Sequence, residues 1–406
     1  MENKQLSEIF KAEYSNLVAV LCHYYGTDMQ SAEDIVSETF INAMKAWSLK
    51  GLPDSPKAWL RKVAQNKYKD QYRRSKTFEQ KIVPEFKSKD AFTDESLITE
   101  EIIEDSQLKM LFVVCDPDLG NDSQICLALR ILCGFNIEEI AKALLSNKEA
   151  INKKLYRAKQ VIKQKDEFMT SLAEGDYINR LDPVLRVIYL LFNEGYYSSV
   201  NESNIRHEIC WEAIRLCRFL EEQSFLDLSK IRALIALMCF HASRLDARLS
   251  DEQDYLLYDE QDKTKWNTPL IEKGKSYLHQ SSNGDTITKY HLEAAIAYWH
   301  TVESVEKWSQ ILQLYNRLLM IEYSPVIAMN RTYALARANS VDEAIVQAEK
   351  LKLTESHLYY CLLAELHRMK EGNSKKEVKY LEIALKLALK KNERKLIKRK
   401  IEEAMA

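Results

Sequence analysis

Apolar residues recur at intervals of three and four along most of the chain, which is the spacing of one face of an α-helix. Within residues 5–50, for example, Ile35, Phe40, Ala43 and Trp47 fall on one side of a helix. Alternating β-branched runs are scarce, and only 9 Gly and 7 Pro are present. The pattern predicts an all-α protein, and 406 residues are enough for two or three domains.

Interruptions of the helical pattern mark the expected domain boundaries. Gly51, Pro53 and Pro56 cannot continue a helix, and a further helical stretch follows them. A segment rich in Lys, Glu, Asp, Ser and Thr then predicts a linker before the apolar pattern resumes. We therefore expect a helical domain at 1–76, a linker at 77–106, a second helical domain at 107–168 and a larger C-terminal helical domain at 177–406.

The formal net charge of −2 hides two basic segments. One lies within residues 61–76 and the other within residues 148–165, and each carries seven cations against a single acidic residue. Segments of this kind are typical of surfaces that bind a polyanion such as nucleic acid. A solvated helix face is the alternative for either segment alone.

Residues 136–162 predict two short helices joined by a tight break. Asn136 with Glu139, and Ser146 with Glu149, have the spacing of helix N-caps. The second helix has one apolar face, and its opposite face carries Glu149, Lys153, Tyr156 and Gln160, flanked by Asn152 and Arg157. This arrangement describes a helix-turn-helix whose second helix enters the DNA major groove. An ordinary αα-hairpin remains the alternative.

Three segments resemble, in order and spacing, parts of the bacterial extracytoplasmic-function (ECF) sigma factors. Residues 116–163 are similar to region 4, which reads the −35 promoter element. "SAEDIVSETFINAMKAW" (residues 31–47) resembles the region 2.2 helix that docks on the polymerase clamp. "SPKAWLRKVAQNKYKDQYRR" (residues 55–74) resembles regions 2.3–2.4, which melt and read the −10 element. The chain departs from the family at the turn of region 4, where Leu145 and Ser146 stand instead of Gly and an apolar residue.

The resemblance implies site residues in each segment. Region 4 would contact −35 DNA through Lys148, Glu149, Asn152, Lys153, Tyr156 and Arg157. Region 2 would contact −10 DNA through Arg61, Lys62, Lys69, Tyr72, Arg73 and Arg74. The loop at 49–55 would hold a flipped base. Asp34 and Glu38 would face the β′ clamp of RNA polymerase core, and region 4 would meet the β flap.

The C-terminal region resembles the extension of one ECF subgroup, whose helical domain ends in tetratricopeptide-like repeats. The similar segments lie at 182–199, 251–267 and 290–301. The dipeptide Asn339-Ser340 recurs as Asn373-Ser374, 34 residues later, which is the tetratricopeptide period. The resemblance implies that this domain contacts the two sigma domains and controls their activity. Packed helices with no binding role are the alternative.

The sequence contains no catalytic or cofactor motif. Trp211 stands where a zinc-protease motif beginning at His207 would need its second His. The acidic residues of 251–262 lack the EF-hand spacing, so we interpret them as an acidic loop that could contact a basic surface. We therefore expect no enzyme activity, no cofactor and no metal site.

Cysteine usage and hydropathy favour a cytoplasmic protein. None of the eight cysteines forms a CxxC pair, which indicates reduced thiols rather than disulfides or zinc. No window approaches the roughly 18 apolar residues that span a bilayer, and the N-terminus lacks a signal-peptide core. We expect no membrane contact.

The sequence therefore predicts a dissociable sigma subunit of bacterial RNA polymerase that directs promoter-specific initiation and carries a fused regulatory domain. Its expected partners are core polymerase and promoter DNA. Two other interpretations stay open. One is a helix-turn-helix transcriptional regulator that acts without polymerase core, and the other is a tetratricopeptide-type scaffold whose basic helices bind no DNA.

Overall fold

In the computed structural model the chain is all-α, as the hydrophobic pattern predicts. It divides into two compact units, Met1–Glu194 (unit 1) and Gly195–Ala406 (unit 2). The structure describes residues 3–82, 98–144, 146–164, 174–197, 203–248, 256, 258–284, 286–370, 374–389 and 391–405. Within these ranges no helix is long and apolar enough to cross a membrane.

Unit 1 contains the helices of both predicted sigma domains. They are α1 (Asn3–His23), α2 (Met29–Lys50), α3 (Pro56–Ile82), α4 (Glu100–Val114), α5 (Asn121–Leu127), a π-helical turn (Ala128–Leu132), α6 (Ile137–Ala143), α7 (Lys148–Lys163) and α8 (Glu174–Tyr197). α1 packs against α2, α3 and α4, so the helices of the two domains share one interior.

Two boundaries differ from the expected ones. α4 begins at Glu100, inside the range expected to be a linker, because Thr99 accepts a hydrogen bond from the Ile102 amide and caps the helix. Most of the remaining linker lies outside the described residues. α8 belongs to unit 1 as far as Glu194, whereas the sequence pattern placed residues from 177 onward in the C-terminal domain.

Local capping explains the helix breaks of unit 1. Gly51 ends α2 with a φ of 79°, a left-handed conformation that a side chain would strain. The capping box expected at Asn136 and Glu139 is present in both directions. The next helix is capped by Asn147 rather than Ser146, because the Asn147 side chain accepts from the Ala150 amide at 2.7 Å. Leu145, at the break itself, lies outside the described residues.

Unit 2 is a succession of packed helices. They are α9 (Ser203–Glu221), α10 (Leu228–Ala242), α11 (Thr268–Ser281), α12 (Lys289–Thr301), α13 (Lys307–Ile321), α14 (Pro325–Ala338), α15 (Val341–Leu351), α16 (His357–Met369), α17 (Ser374–Leu387) and α18 (Lys391–Met405). Short 3-10 turns lie at Leu245–Arg248, Tyr258–Glu260 and Lys263–Lys265. α10 is the central helix of the first half, since it packs against α9, α11 and α12.

The second half of unit 2 carries the predicted repeat. From α13 to α18 each helix packs on the next, and one apolar cluster runs through α12–α16. Ser340 caps α15 and Ser374 begins α17, so the recurring dipeptide marks two helix starts, although Asn373 lies outside the described residues. The tetratricopeptide assignment stays a prediction.

The described part of the acidic loop is engaged within unit 2. Residues 251–255 and 257 lie outside the described residues. Glu260 receives Arg399 at 2.7 Å, and Asp259 lies 3.8 Å from Arg337. These contacts give the described acids local partners.

Candidate nucleic-acid interface

All six residues predicted to contact −35 DNA are exposed on α7. Ile151, Leu155, Ala158 and Ile162 are buried and pack the helix onto its neighbours. The predicted residues are all exposed: Lys148, Glu149, Asn152, Lys153, Tyr156 and Arg157. Lys148 begins the helix at the flank of the buried stripe, and Glu149, Lys153, Tyr156 and Arg157 lie on the side opposite the stripe. Tyr156 is 65% exposed. The amphipathic pattern predicted this face correctly.

Most side chains of this face are available for a ligand. Asn152, Lys153, Tyr156 and Arg157 make no ion pair or side-chain hydrogen bond with another described residue. Lys148 pairs across the turn with Glu138 at 2.9 Å, and this contact holds the pKa of Glu138 below its ordinary value. Both partners are exposed, so a phosphate could replace Glu138 at little cost. The face offers cations for phosphates, and Asn and Arg for base edges.

The basic helix of region 2 displays only part of its predicted set. Lys62, Arg73 and Arg74 are exposed, and Lys69 is half-buried. Tyr72 is also half-buried and stacks on Tyr68, with ring centroids 6.1 Å apart. The residues expected at the −10 element therefore form a partly exposed strip of cations beside one aromatic ring.

Arg61 lies apart from this strip. Its side chain is only 15% exposed, and it contacts Glu100 of α4 at 2.8 Å and the buried Glu13 of α1 at 3.8 Å. The residue thus joins α3 to two other helices. Counting charges along the sequence could not reveal this, because the count does not assign each cation to a face of the helix. Its role as a DNA contact stays a prediction.

The acidic edge predicted to bind polymerase lies on α2. Asp34 and Glu38 are both exposed, and Glu38 receives Lys67 at 2.7 Å. Two apolar side chains of the same helix, Ile41 and Met44, are about half exposed and were not predicted as site residues. The sequence could have indicated their exposure, because both are large apolar residues outside the buried stripe of α2.

An open cleft of about 350 Å³ lies at the C-terminal end of α2. Leu49 and Lys45 of α2 line it together with Trp59 and Val63 of α3. Trp59 packs on the buried Trp47 at 5.4 Å between ring centroids. The cleft adjoins the loop expected to hold a flipped base.

Glu33 is the main feature of unit 1 that the sequence reasoning missed. It is 4% exposed and lies on α2 beside the acidic edge. Its carboxylate accepts from the Tyr14 hydroxyl at 2.6 Å, from Arg130 Nε at 2.8 Å and from Lys159 of α7. Burial raises the pKa of Glu33, but Lys159 and Arg130 more than offset this, so its pKa lies below the ordinary value.

The Glu33 cluster, meaning Glu33 with Tyr14, Arg130 and Lys159, ties the two predicted sigma domains together. Lys159 also donates to Gln30 at 3.0 Å, so one cation of α7 contacts two residues of α2. Lys159 is therefore engaged inside unit 1, whereas the six predicted residues of α7 are exposed.

Comparison with known proteins defines the class first. The family model for sigma-70 region 2 matches residues 10–78, which contain most of α1 and all of α2. A second model, a family of unknown function (DUF6596), matches residues 180–282. No solved structure matches the chain significantly.

Two curated relatives extend this result. The uncharacterized protein R00370 of Rhizobium meliloti (strain 1021) is 31% identical over 343 residues, which cover 83% of this chain and 81% of that protein. The ECF RNA polymerase sigma factor SigX of Bacillus subtilis (strain 168) is 23% identical over 148 residues, 36% of this chain and 76% of that protein. The chain belongs to the family of the Rhizobium protein and is a sigma-70 family protein.

Proposed function

We propose that the protein is an RNA polymerase sigma factor that binds core polymerase and directs initiation at promoters with defined −10 and −35 elements. The observation that carries the proposal is the face of α7, where Asn152, Lys153, Tyr156 and Arg157 are exposed and unpaired among the described residues. This face lies in the same compact unit as the sigma-70 region 2 match.

The chemistry of α7 supports a reader of duplex DNA. Arg157 and Asn152 suit the edges of guanine and adenine in the major groove, and Lys153 suits a phosphate. The buried stripe of α7 packs the helix against its neighbours, so the orientation of the polar face is set before DNA binds. The alignment with the Bacillus sigma factor covers 148 residues, more than the region 2 match over residues 10–78, so the similarity is not confined to region 2.

The strip on α3 supports binding of the melted −10 strand. Single-stranded DNA is held by cations along its backbone and by aromatic rings against its bases. Lys62, Lys69, Arg73 and Arg74 supply the cations, and Tyr72 supplies a ring at the same end of the helix.

Polymerase would bind region 2 through α2. Asp34 and Glu38 match a basic partner such as the β′ clamp helices, and the exposed Ile41 and Met44 add apolar contact area. The proposal also assigns unit 2 a regulatory role. Because unit 2 is fused to unit 1, it would act on unit 1 at an effective concentration of about millimolar.

DNA binding with and without polymerase tests the proposal. Promoter fragments selected by transcription would be bound by the protein together with bacterial core polymerase, and the complex would open the −10 region to permanganate. A helix-turn-helix regulator would instead bind the fragment alone and open nothing. Binding without core, at the same affinity, would therefore exclude the sigma factor.

A further inference from the structure

Unit 2 contains a half-enclosed cleft of about 390 Å³ between α9, α10 and α11. Ile214, Ile235 and Cys239 are buried at its floor, and Trp211 stands at its edge with 44% of its surface exposed. Small-molecule sites are typically apolar clefts of about 300–1,000 Å³ with a few polar groups at defined positions. The size and floor of this cleft fit that class.

The walls of the cleft are fixed by contacts outside it. Glu221, at the end of α9, accepts from Arg232 Nε of α10 at 2.9 Å and from the Tyr277 hydroxyl of α11 at 3.1 Å. α11 also approaches α10 closely, because a Cβ at Gly274 would lie 2.8 Å from the Phe240 ring. The cleft is therefore formed before any ligand binds, which lowers the entropy cost of binding.

The rim of the cleft is positively charged. Arg215, Arg218 and Lys273 line it, against the single carboxylate of Glu222. Arg215 pairs with Glu212 at 2.8 Å. Arg218 and Lys273 have no ion pair or side-chain hydrogen bond with any other residue in the described ranges.

These two cations face the apolar floor. Burial raises the pKa of the Cys239 thiol to about 12, and Lys273 and Arg218 act on the same thiol in the opposite direction. The floor therefore stays neutral at physiological pH. Glu222 is the one acidic residue of the lining, against three cations. Two unpaired cations above a neutral apolar floor attract an anion that also carries an apolar body.

We propose that this cleft binds a small organic anion, with a carboxylate or sulfonate at Arg218 and Lys273 and an aromatic or aliphatic body on Ile214, Ile235 and Trp211. Nucleic acid fits less well, because a phosphate backbone would leave the apolar floor uncovered. The inference does not depend on the sigma factor assignment, since it concerns the ligand of unit 2 alone.

The test uses the full-length protein with two probes, 1-naphthoate and decanoate, and their neutral counterparts 1-naphthalenemethanol and decanol. Saturation-transfer NMR detects binding, and calorimetry gives affinity and stoichiometry. We expect at least one carboxylate to bind with one site per chain. Its alcohol should bind at least about tenfold more weakly, because the alcohol cannot form the charge-assisted hydrogen bonds that the carboxylate forms with the two cations.

Three variants locate the site. Arg218→Gln and Lys273→Gln should each weaken carboxylate binding about tenfold or more. Lys275→Gln is the matched control, since it makes the same charge change on α11 at a residue that pairs with Glu272 and does not line the cleft. Circular dichroism checks that each variant is folded. Both cations are exposed, so neither substitution should unfold the protein, and either folded variant alone tests whether the carboxylate binds in this cleft.

Three results would overturn the proposal. The first is that neither carboxylate binds saturably at millimolar concentration, as expected if the cleft instead takes an acidic segment of a protein partner. The second is equal affinity for carboxylate and alcohol. The third is unchanged affinity in a folded Arg218→Gln or Lys273→Gln variant.

Discussion

Replacing Glu33 by Gln should destabilise unit 1 strongly. The carboxylate is 4% exposed and carries the charge that balances Arg130 and Lys159, each with only 14% of its side chain exposed. Removing one partner of a buried ion pair costs about 3–5 kcal/mol, and because Gln can still accept from Tyr14 we expect about 3 kcal/mol. Amides of α2 and α7 that exchange through unfolding of unit 1 should then exchange about 100-fold faster at pH 7.

The effect should depend on pH in one direction. The pKa of Glu33 lies below its ordinary 4.5, so its charge contributes stability that is fully present above about pH 4.5 and is lost as the pH falls through the folded-state pKa. The difference between wild type and Glu33→Gln should therefore shrink in acid.

Hydrogen exchange with mass spectrometry measures this difference peptide by peptide, and peptides of α16 in unit 2 serve as an internal reference. Asp34→Asn is the matched control, because it removes the charge of the neighbouring carboxylate on the same helix, which is exposed and accepts a hydrogen bond from Gln30 at 3.2 Å. Equal exchange in the two variants, or a Glu33→Gln effect that is the same at pH 3 and pH 7, would refute the reasoning.

Three further predictions follow from the proposed function. Arg157→Ala should change base preference at one promoter position by about 1–3 kcal/mol. Lys153→Gln should instead weaken binding to all sequences evenly and lower the salt dependence of binding. Fluorescence anisotropy with polymerase present measures both effects. Charge reversal of Asp34 and Glu38 together should reduce co-purification of core polymerase without changing the circular dichroism spectrum; undiminished recovery would exclude this edge. Truncation after Tyr197 keeps α8 with unit 1 and should change promoter-dependent transcription if unit 2 regulates it; equal activity would make unit 2 passive.

The amphipathic pattern was sufficient to predict α7. Its apolar residues occur at a helical spacing and its polar residues fill the opposite face, so local sequence alone determines which side is exposed. The capping box at Asn136 and Glu139 could be predicted from the sequence for the same reason, since both partners lie within one turn of the helix.

Long-range partners could not be predicted in this way. The sequence does indicate that Glu33 is buried, because Glu33 lies three residues before Val36 and seven before Phe40, both in the buried stripe of α2. Its partner Lys159 is 126 positions away, however, and nothing in the local pattern distinguishes that lysine from its neighbours. The ion pairs of Arg61 could not be predicted for a related reason, since its partners Glu13 and Glu100 lie on two other helices.

Transcription from a randomised library tests the central claim most directly. Bacterial core polymerase would transcribe DNA carrying random sequence upstream of a fixed reporter, with and without the purified protein, and the templates that yield transcripts would be sequenced. The account predicts discrete transcripts only when the protein is present, from templates enriched in two motifs at a fixed separation. With Arg157→Ala, it predicts a changed base preference at one position of the upstream motif. The same transcripts with and without the protein, or no enrichment, would contradict it.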